Sequence, residues 1–186
     1  MNFDRLKKNL IAVIKESQIK LGYESMSFGV NYVTPSLLHM LDGATAEELP
    51  ELLGEFCEQN KDEFGDITVM KTENGFRLDV PVKGVDYVNS TFDDNDFLVR
   101  FINEVRNPKA TVDSIVAVFK SFSDNVVVKK INTDEFDYLI YFADGKPDEF
   151  WYCIDTEDLG MTYHRFMKDD YLDCLLYTSD AADDGE

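Results

Sequence analysis

The residues of this chain best suited to chemistry are five aromatic and basic side chains close together in the sequence. They are Trp151, Tyr152, Tyr163, His164 and Arg165. Aromatic rings interleaved with a histidine and an arginine can line a pocket for a small molecule or a peptide. Arg165 would bind an anion there, because a guanidinium donates two parallel hydrogen bonds to a carboxylate. The same alternation is typical of rings that stabilise cross-strand pairs and pack in a core, and this second interpretation is the commoner outcome.

Cys153 suggests a different chemistry, because a thiol becomes a nucleophile when a histidine lies within hydrogen-bond distance. Pairing of the segments 150–154 and 161–165 would bring Cys153 and His164 together. The two side chains must also share one face, which the sequence does not guarantee. Cys57 lies in a predicted helix, where a small core thiol is the simpler interpretation.

Metal and phosphate sites are not predicted. The two histidines, His39 and His164, do not occur in His-x-x-x-His or His-Glu-x-x-His spacing. The acidic run at 93–96 lacks the glycine and the distal glutamate of a calcium loop. The glycines form neither a phosphate-binding loop nor a dinucleotide fingerprint. The sequence therefore predicts no metal and no cofactor, and a half-buried His39.

The charge of the chain restricts its partners. Its 186 residues include 37 Asp and Glu against 18 Lys and Arg, a formal net charge of −19. Such a surface repels phosphates, and no basic stripe of the kind found in nucleic-acid-binding proteins is present. No apolar run approaches the ~20 residues of a membrane span. We therefore expect no nucleic-acid partner and no membrane contact; a protein partner remains an open alternative.

The cysteines indicate the compartment. Cys57, Cys153 and Cys174 are scattered, odd in number and outside any Cys-x-x-Cys pair. Disulfides persist in oxidising compartments, so reduced thiols in the cytoplasm are the simple interpretation. The apolar run at 10–14 is too short for the core of a signal peptide.

The hydrophobic pattern predicts helices and a hairpin in the first half of the chain. Apolar residues recur at helical spacing over 3–21, and Gly22 is a natural stop. Asn74-Gly75 is the favoured two-residue hairpin turn, and it would pair Val69 with Val80. Between them the pattern predicts an extended segment at 25–33 and helices at 36–41 and 45–60.

The second half predicts helices followed by an antiparallel sheet. A winged helix is a superficial alternative here, but Phe122 leads almost directly into a strand and leaves no separate recognition helix. The fold class is therefore α+β: N-terminal helices with a β-hairpin, then a helical pair and a C-terminal antiparallel β-sheet of about four strands. We expect one domain, 1–173, with lobes at about 1–92 and 93–173. The predicted elements are helices at 85–91, 95–106 and 111–122 and strands at 125–131, 136–142, 149–154 and 159–166.

The last residues differ from the rest of the chain. Residues 174–184 resemble one translated reading frame of a transposon-end sequencing adapter. Small and acidic residues without periodicity predict disorder over 174–186. On this interpretation the natural sequence is interrupted near Asp173, and the tail carries no functional weight.

Three segments, 9–23, 135–140 and 163–166, carry a family resemblance. They resemble an uncharacterised bacterial family known as a domain of unknown function, and the resemblance covers residues 1–173. It implies a small stand-alone cytosolic protein and brings no known activity, cofactor, partner or site residue.

Two functional hypotheses follow. The first is a non-enzymatic binding or protein-interaction module, with a regulatory role as one option, that uses the C-terminal sheet and presents an exposed aromatic patch. The second is a small-molecule sensor or an enzyme whose pocket lies around Tyr152, His164 and Arg165, and it requires those side chains to converge on one cavity.

Overall fold

The computed structural model describes residues 1–93, 96–131, 133–157 and 160–167. The chain divides into two units, Met1–Asp93 and Asp94–Glu186. Each unit combines helices with an antiparallel sheet, which confirms the predicted α+β class. The predictions for the tail at 174–186 lie outside the described residues. Among the described residues, we find no helix that could span a bilayer.

The first unit begins with the predicted amphipathic helix, which ends at Gly22 in the left-handed conformation at φ 82°. A 3-10 turn at Ala46–Glu48 precedes the third helix. The elements of the first unit, in chain order, are α1 (Asp4–Leu21), β1 (Phe28–Val33), α2 (Thr34–Met40), α3 (Leu49–Gln59), α4 (Lys61–Phe64), β2 (Thr68–Lys71), β3 (Gly75–Val80) and α5 (Val82–Ser90).

The sheet of the first unit has the strand order β1-β3-β2, with β3 antiparallel to both neighbours. A helix, a strand, two helices and a hairpin whose second strand lies in the centre of the sheet are the elements of a winged helix, and the first unit has this order with the short helix α4 in addition. From the sequence, a winged helix was weighed only for the second half of the chain, and it was rejected there because Phe122 leads almost directly into a strand. In this topology α3 takes the place of the recognition helix.

The hairpin between β2 and β3 turns one residue earlier than predicted. Val69 pairs with Leu78, so the two-residue loop is Glu73-Asn74. The predicted pairing of Val69 with Val80 was therefore wrong.

Gly75 explains the shift. It is the first residue of β3 and pairs with Val33 of β1. A Cβ at this position would meet the carbonyl oxygen of Tyr32. The glycine therefore serves the close approach of β1 to β3, rather than the turn.

The second unit contains the predicted helical pair and four-stranded sheet. The side chain of Asp96 caps the first helix by accepting a hydrogen bond from the Leu98 amide at 3.0 Å. The strands form a meander of order β4-β5-β6-β7, antiparallel throughout. The elements are α6 (Phe97–Val105), α7 (Val112–Lys120), β4 (Val126–Lys130), β5 (Tyr138–Phe142), β6 (Trp151–Glu157) and β7 (Gly160–Phe166).

One face of this sheet packs against α6 and α7. The Phe97 ring lies 5.0 Å from that of Phe142, and the Phe119 ring lies 5.5 Å from that of Tyr152. Such edge-to-face contacts are the preferred geometry of packed aromatic rings. We call this the inner face of the sheet and the opposite side the outer face.

We expect Gly84→Ala to lower the free energy of unfolding by about 1–3 kcal/mol, the usual range for overpacking. A Cβ at Gly84 would lie 2.7 Å from the carbonyl oxygen of Phe64 and would also meet the Val80 side chain. Gly54→Ala is the matched control, because nothing lies within 4 Å of its new Cβ. Alanine should stabilise that helix by about 0.5–1 kcal/mol. Urea denaturation measures both, and equal effects would contradict the packing argument.

Candidate functional site

The five predicted residues lie on β6 and β7, and the pleat divides them between two faces. Tyr152 pairs directly with Arg165. Opposed residues share a face, and consecutive residues alternate. Tyr152, Tyr163 and Arg165 therefore lie on the inner face, and Trp151 and His164 on the outer face. His164 and Arg165 are consecutive residues of β7 and therefore lie on opposite faces of the sheet. The structure thus does not bring Tyr152, His164 and Arg165 together in one pocket.

On the inner face, Tyr152 is a core residue with no exposed surface. Its ring centroid lies 4.6 Å from that of Phe101, and the Tyr163 ring lies 5.0 Å from the same phenylalanine. The Arg165 guanidinium lies 4.0 Å from the centroid of the Phe150 ring. These side chains stabilise one another, as in the core-packing interpretation of the sequence.

Asp148 completes this inner group. The Tyr152 hydroxyl donates to one carboxylate oxygen of Asp148 at 2.7 Å, and the Phe150 amide donates to the other at 2.7 Å. Enclosure of the carboxyl group raises the pKa of Asp148, although the Arg165 charge and the two hydrogen bonds act in the opposite direction. The residue as a whole is only half-buried, but its carboxyl is enclosed. The group therefore ties the turn before β6 to β6 and β7.

The sequence did not single out Asp148, which falls in the predicted turn between β5 and β6. Its signal is weak: an aspartate in a turn can accept a hydrogen bond from the amide two residues further on, here that of Phe150, just before β6. The partner hydroxyl of Tyr152, four residues on, could be recognised only once that tyrosine was known to be buried.

The outer face carries a stacked pair of rings. The Tyr141 and Trp151 rings lie 4.0 Å apart with an interplanar angle of 14°. Beside them His164 is exposed, and its ring lies 4.6 Å from that of Phe166. We call the apolar set the outer cluster; it consists of Leu139 and Cys153, both buried, with Ile131, Phe136, Tyr141, Trp151 and Phe166 packed against them.

The outer cluster encloses the thiol of Cys153. Cys153 and His164 are cross-strand partners on the outer face. However, Cys153 is only 1% exposed, so a substrate could not reach its sulfur. Burial raises the pKa of Cys57 to about 11, which keeps that thiol protonated at neutral pH. Neither thiol has the setting of a nucleophile.

Within the described ranges, no group of three or more histidine, cysteine, aspartate or glutamate side chains could hold a metal ion. His39 is half-buried, and its carbonyl oxygen accepts a hydrogen bond from Arg5 at 2.9 Å.

Comparison with known families confirms the predicted resemblance. Residues 3–175 match a family model described as "Domain of unknown function, E. rectale Gene description (DUF3877)". The match spans nearly the whole chain and both units. No curated protein and no solved structure matches.

Replacement of Asp148 tests the effect of enclosing its carboxyl. The pKa of Asp148 is raised above its ordinary value of 3.8 in the folded state. As pH rises through the window above 3.8, the unfolded chain loses this proton first, so the raised pKa lowers stability. Asp148→Asn removes the titration. The free energy of unfolding of Asp148→Asn minus that of the wild type should therefore increase with pH across this window.

Urea denaturation over a pH series measures this difference. Asp144→Asn, which removes an exposed carboxylate from the same turn, is the matched control. A difference that stays constant or decreases with rising pH would contradict the assignment.

Proposed function

We propose that this chain, which belongs to the bacterial DUF3877 family, is a non-enzymatic protein-interaction module. It binds a basic, arginine-bearing segment of a partner protein on the outer face of its four-stranded sheet. The observation that carries the proposal is the stacked Tyr141–Trp151 pair beside the exposed His164. These rings lie on the side of the sheet opposite α6 and α7.

The composition of the outer face suits a binding surface. Tryptophan and tyrosine are enriched where proteins meet, because they combine a large apolar area with few rotatable bonds. Trp151 and Tyr141 are half-buried and are already held in place by their stacking. The surface is therefore already ordered, and these two side chains lose little conformational entropy when a partner binds.

Charge argues for a basic partner. The chain carries a net charge of −19, which steers cationic proteins towards it. Asp155 lies two residues beyond Cys153 on the same side of β6, and the exposed Glu135 precedes β5. Both carboxylates can pair with cations at the edge of the outer cluster.

The rings of this protein already accept cations. Lys129 Nζ lies 5.9 Å from the centroid of the Tyr141 ring at the edge of the outer face. In the first unit, Lys15 Nζ lies 5.1 Å from the Phe92 ring. A guanidinium stacks on aromatic rings better than an ammonium does, so arginine is the favoured cation of the partner.

A nucleic-acid partner is not proposed, despite the winged-helix order of the first unit. The helix in the recognition position, α3, exposes Glu51, Glu55 and Glu58. Three carboxylates on that face would repel the phosphates that such a helix must approach. A cytoplasmic location is part of the proposal and is supported by the free thiol of Cys57.

Trp151 is the single tryptophan of the chain, so its fluorescence reports directly on the outer face. We expect an arginine octapeptide to produce a saturable change in this fluorescence at about 150 mM salt, where long-range attraction is screened. A lysine octapeptide should bind several-fold more weakly, and a glutamate octapeptide should not bind.

Tyr141→Leu should weaken binding of the arginine peptide about tenfold, as expected for a lost cation–π contact of about 1.4 kcal/mol. Tyr163→Phe, a change on the inner face, is the matched control and should bind like the wild type. Equal affinities for the arginine and lysine peptides, or an unchanged Tyr141→Leu, would rule out this surface.

A labelled DNA duplex tests the exclusion of nucleic acid. Fluorescence anisotropy should show no saturable binding at about 150 mM salt, since α3 presents carboxylates where phosphates would lie. Saturable binding that weakens steeply with added salt would show the exclusion to be wrong.

A further inference from the structure

The hairpin turn of the first unit contains two residues that can react with each other. Asn74-Gly75 is the one Asn-Gly pair in the sequence. The backbone nitrogen of the glycine can attack the side-chain Cγ of the asparagine, which closes a five-membered imide ring and expels ammonia. Glycine favours this reaction because it has no Cβ to obstruct the ring. Asn74 is exposed, so water can reach the imide and open it.

The fold fixes both sides of the peptide bond between these two residues. The Gly75 amide donates a hydrogen bond to the Thr72 hydroxyl at 3.1 Å. The carbonyl oxygen of Asn74 accepts two hydrogen bonds from Thr34, one from its amide at 3.0 Å and one from its hydroxyl at 3.3 Å. We call these three hydrogen bonds the turn bonds.

The turn bonds oppose the reaction at its first step. To attack Cγ, the Gly75 nitrogen must lose its proton and turn away from its position in the sheet. The Thr72 hydroxyl accepts the hydrogen bond but is too weak a base to remove the proton. Close packing against β1 opposes the rotation as well, because a Cβ on Gly75 would lie 2.8 Å from the Cα of Val33.

We propose that Asn74 is a site of spontaneous deamidation, and that the Thr72 hydroxyl controls its rate by holding the Gly75 amide. The reaction proceeds when the tip of the hairpin opens locally, which requires fewer broken contacts than global unfolding. The Gly75 nitrogen then loses its proton and forms a bond to Cγ. The carboxamide nitrogen takes up a proton and leaves as ammonia. Water adds to one of the two imide carbonyls and yields either aspartate or isoaspartate.

The two products differ in their effect on the fold. Aspartate keeps the backbone unchanged and adds a negative charge beside the exposed Glu73. Isoaspartate carries the backbone through the side chain, which inserts an extra methylene group before Gly75. This glycine is buried against the carbonyl oxygen of Tyr32, so the chain has little room to shift. Isoaspartate therefore weakens the attachment of β1 to β3.

Peptide mass spectrometry measures the conversion of Asn74 after incubation of the full chain in native buffer. A synthetic peptide of residues 70–79 gives the rate without the turn bonds. We expect Asn74 to react at least about tenfold more slowly in the folded chain than in the peptide, because only the locally open hairpin reacts.

Thr72→Val should accelerate this deamidation about fivefold in the folded chain, the factor that corresponds to a hydrogen bond of about 1 kcal/mol. Thr72→Ser keeps the hydroxyl and should react like the wild type. Thr68→Val makes the same replacement at an exposed position of β2 and is the matched control. Amide hydrogen exchange should quicken at Gly75 in Thr72→Val, and should stay unchanged at Leu78, which pairs with β1.

Urea denaturation tests the effect of the products. Chains that carry isoaspartate at position 74 should unfold at a lower urea concentration than Asn74→Asp, which adds the charge and keeps the backbone. Equal unfolding of the two would show that the consequence drawn for β1 is wrong.

The proposal is overturned if Asn74 reacts as fast in the folded chain as in the peptide. It is also overturned if Thr72→Val, shown to be folded by slow exchange at Leu78, reacts no faster than the wild type, or if Thr68→Val is accelerated equally. The reaction lies in the first unit, so it and the arginine-peptide titration on the outer face can fail independently.

Discussion

The second unit depends on the burial of one hydroxyl group. Tyr152 sits in the centre of the inner face, and its ring fills the space beneath α6 and α7. A hydroxyl taken out of water costs about 1–3 kcal/mol unless it is hydrogen-bonded. Asp148 supplies the acceptor, and Arg165 lies near enough to offset its charge. The chain before β6 must therefore turn so that an acid lies four residues before the tyrosine.

That requirement also determines what the outer face displays. Because side chains alternate along a strand, the burial of Tyr152 directs Trp151 and Cys153 to the opposite side. The register then places His164 beside Cys153 and Phe166 beside Trp151. The same run of aromatic residues thus builds a core on one side of the sheet and a ring-lined surface on the other. A slip of one residue would exchange these roles.

The local patterns of the sequence predicted much of this fold. Helical spacing located α1 and its stop at Gly22, and alternation located β5, β6 and β7. Two kinds of feature escaped prediction. Gly75 was assigned to a turn because its contact with Tyr32, more than forty residues earlier, is not encoded locally. The hydrogen bonds from Thr34 to the Asn74 carbonyl escaped for the same reason, because the two residues lie 40 positions apart in the sequence.

The arrangement of the candidate residues could not be predicted from the sequence. Composition identified the aromatic and basic residues of β6 and β7, and the pairing of Cys153 with His164 was anticipated. Which residues face the helices depends on which side α6 and α7 cover, and this is settled by packing far along the chain.

The strand β4 has a further consequence for the behaviour of this protein at high concentration. It lies at the edge of the four-stranded sheet and opens with three valines at 126–128. Such a strand can pair with the edge of another molecule and begin aggregation. Lys129 and Lys130, both exposed, close the strand and place like charges opposite each other in a parallel, in-register self-pairing. In a chain so rich in carboxylates, these two lysines act as gatekeepers against amyloid-like assembly.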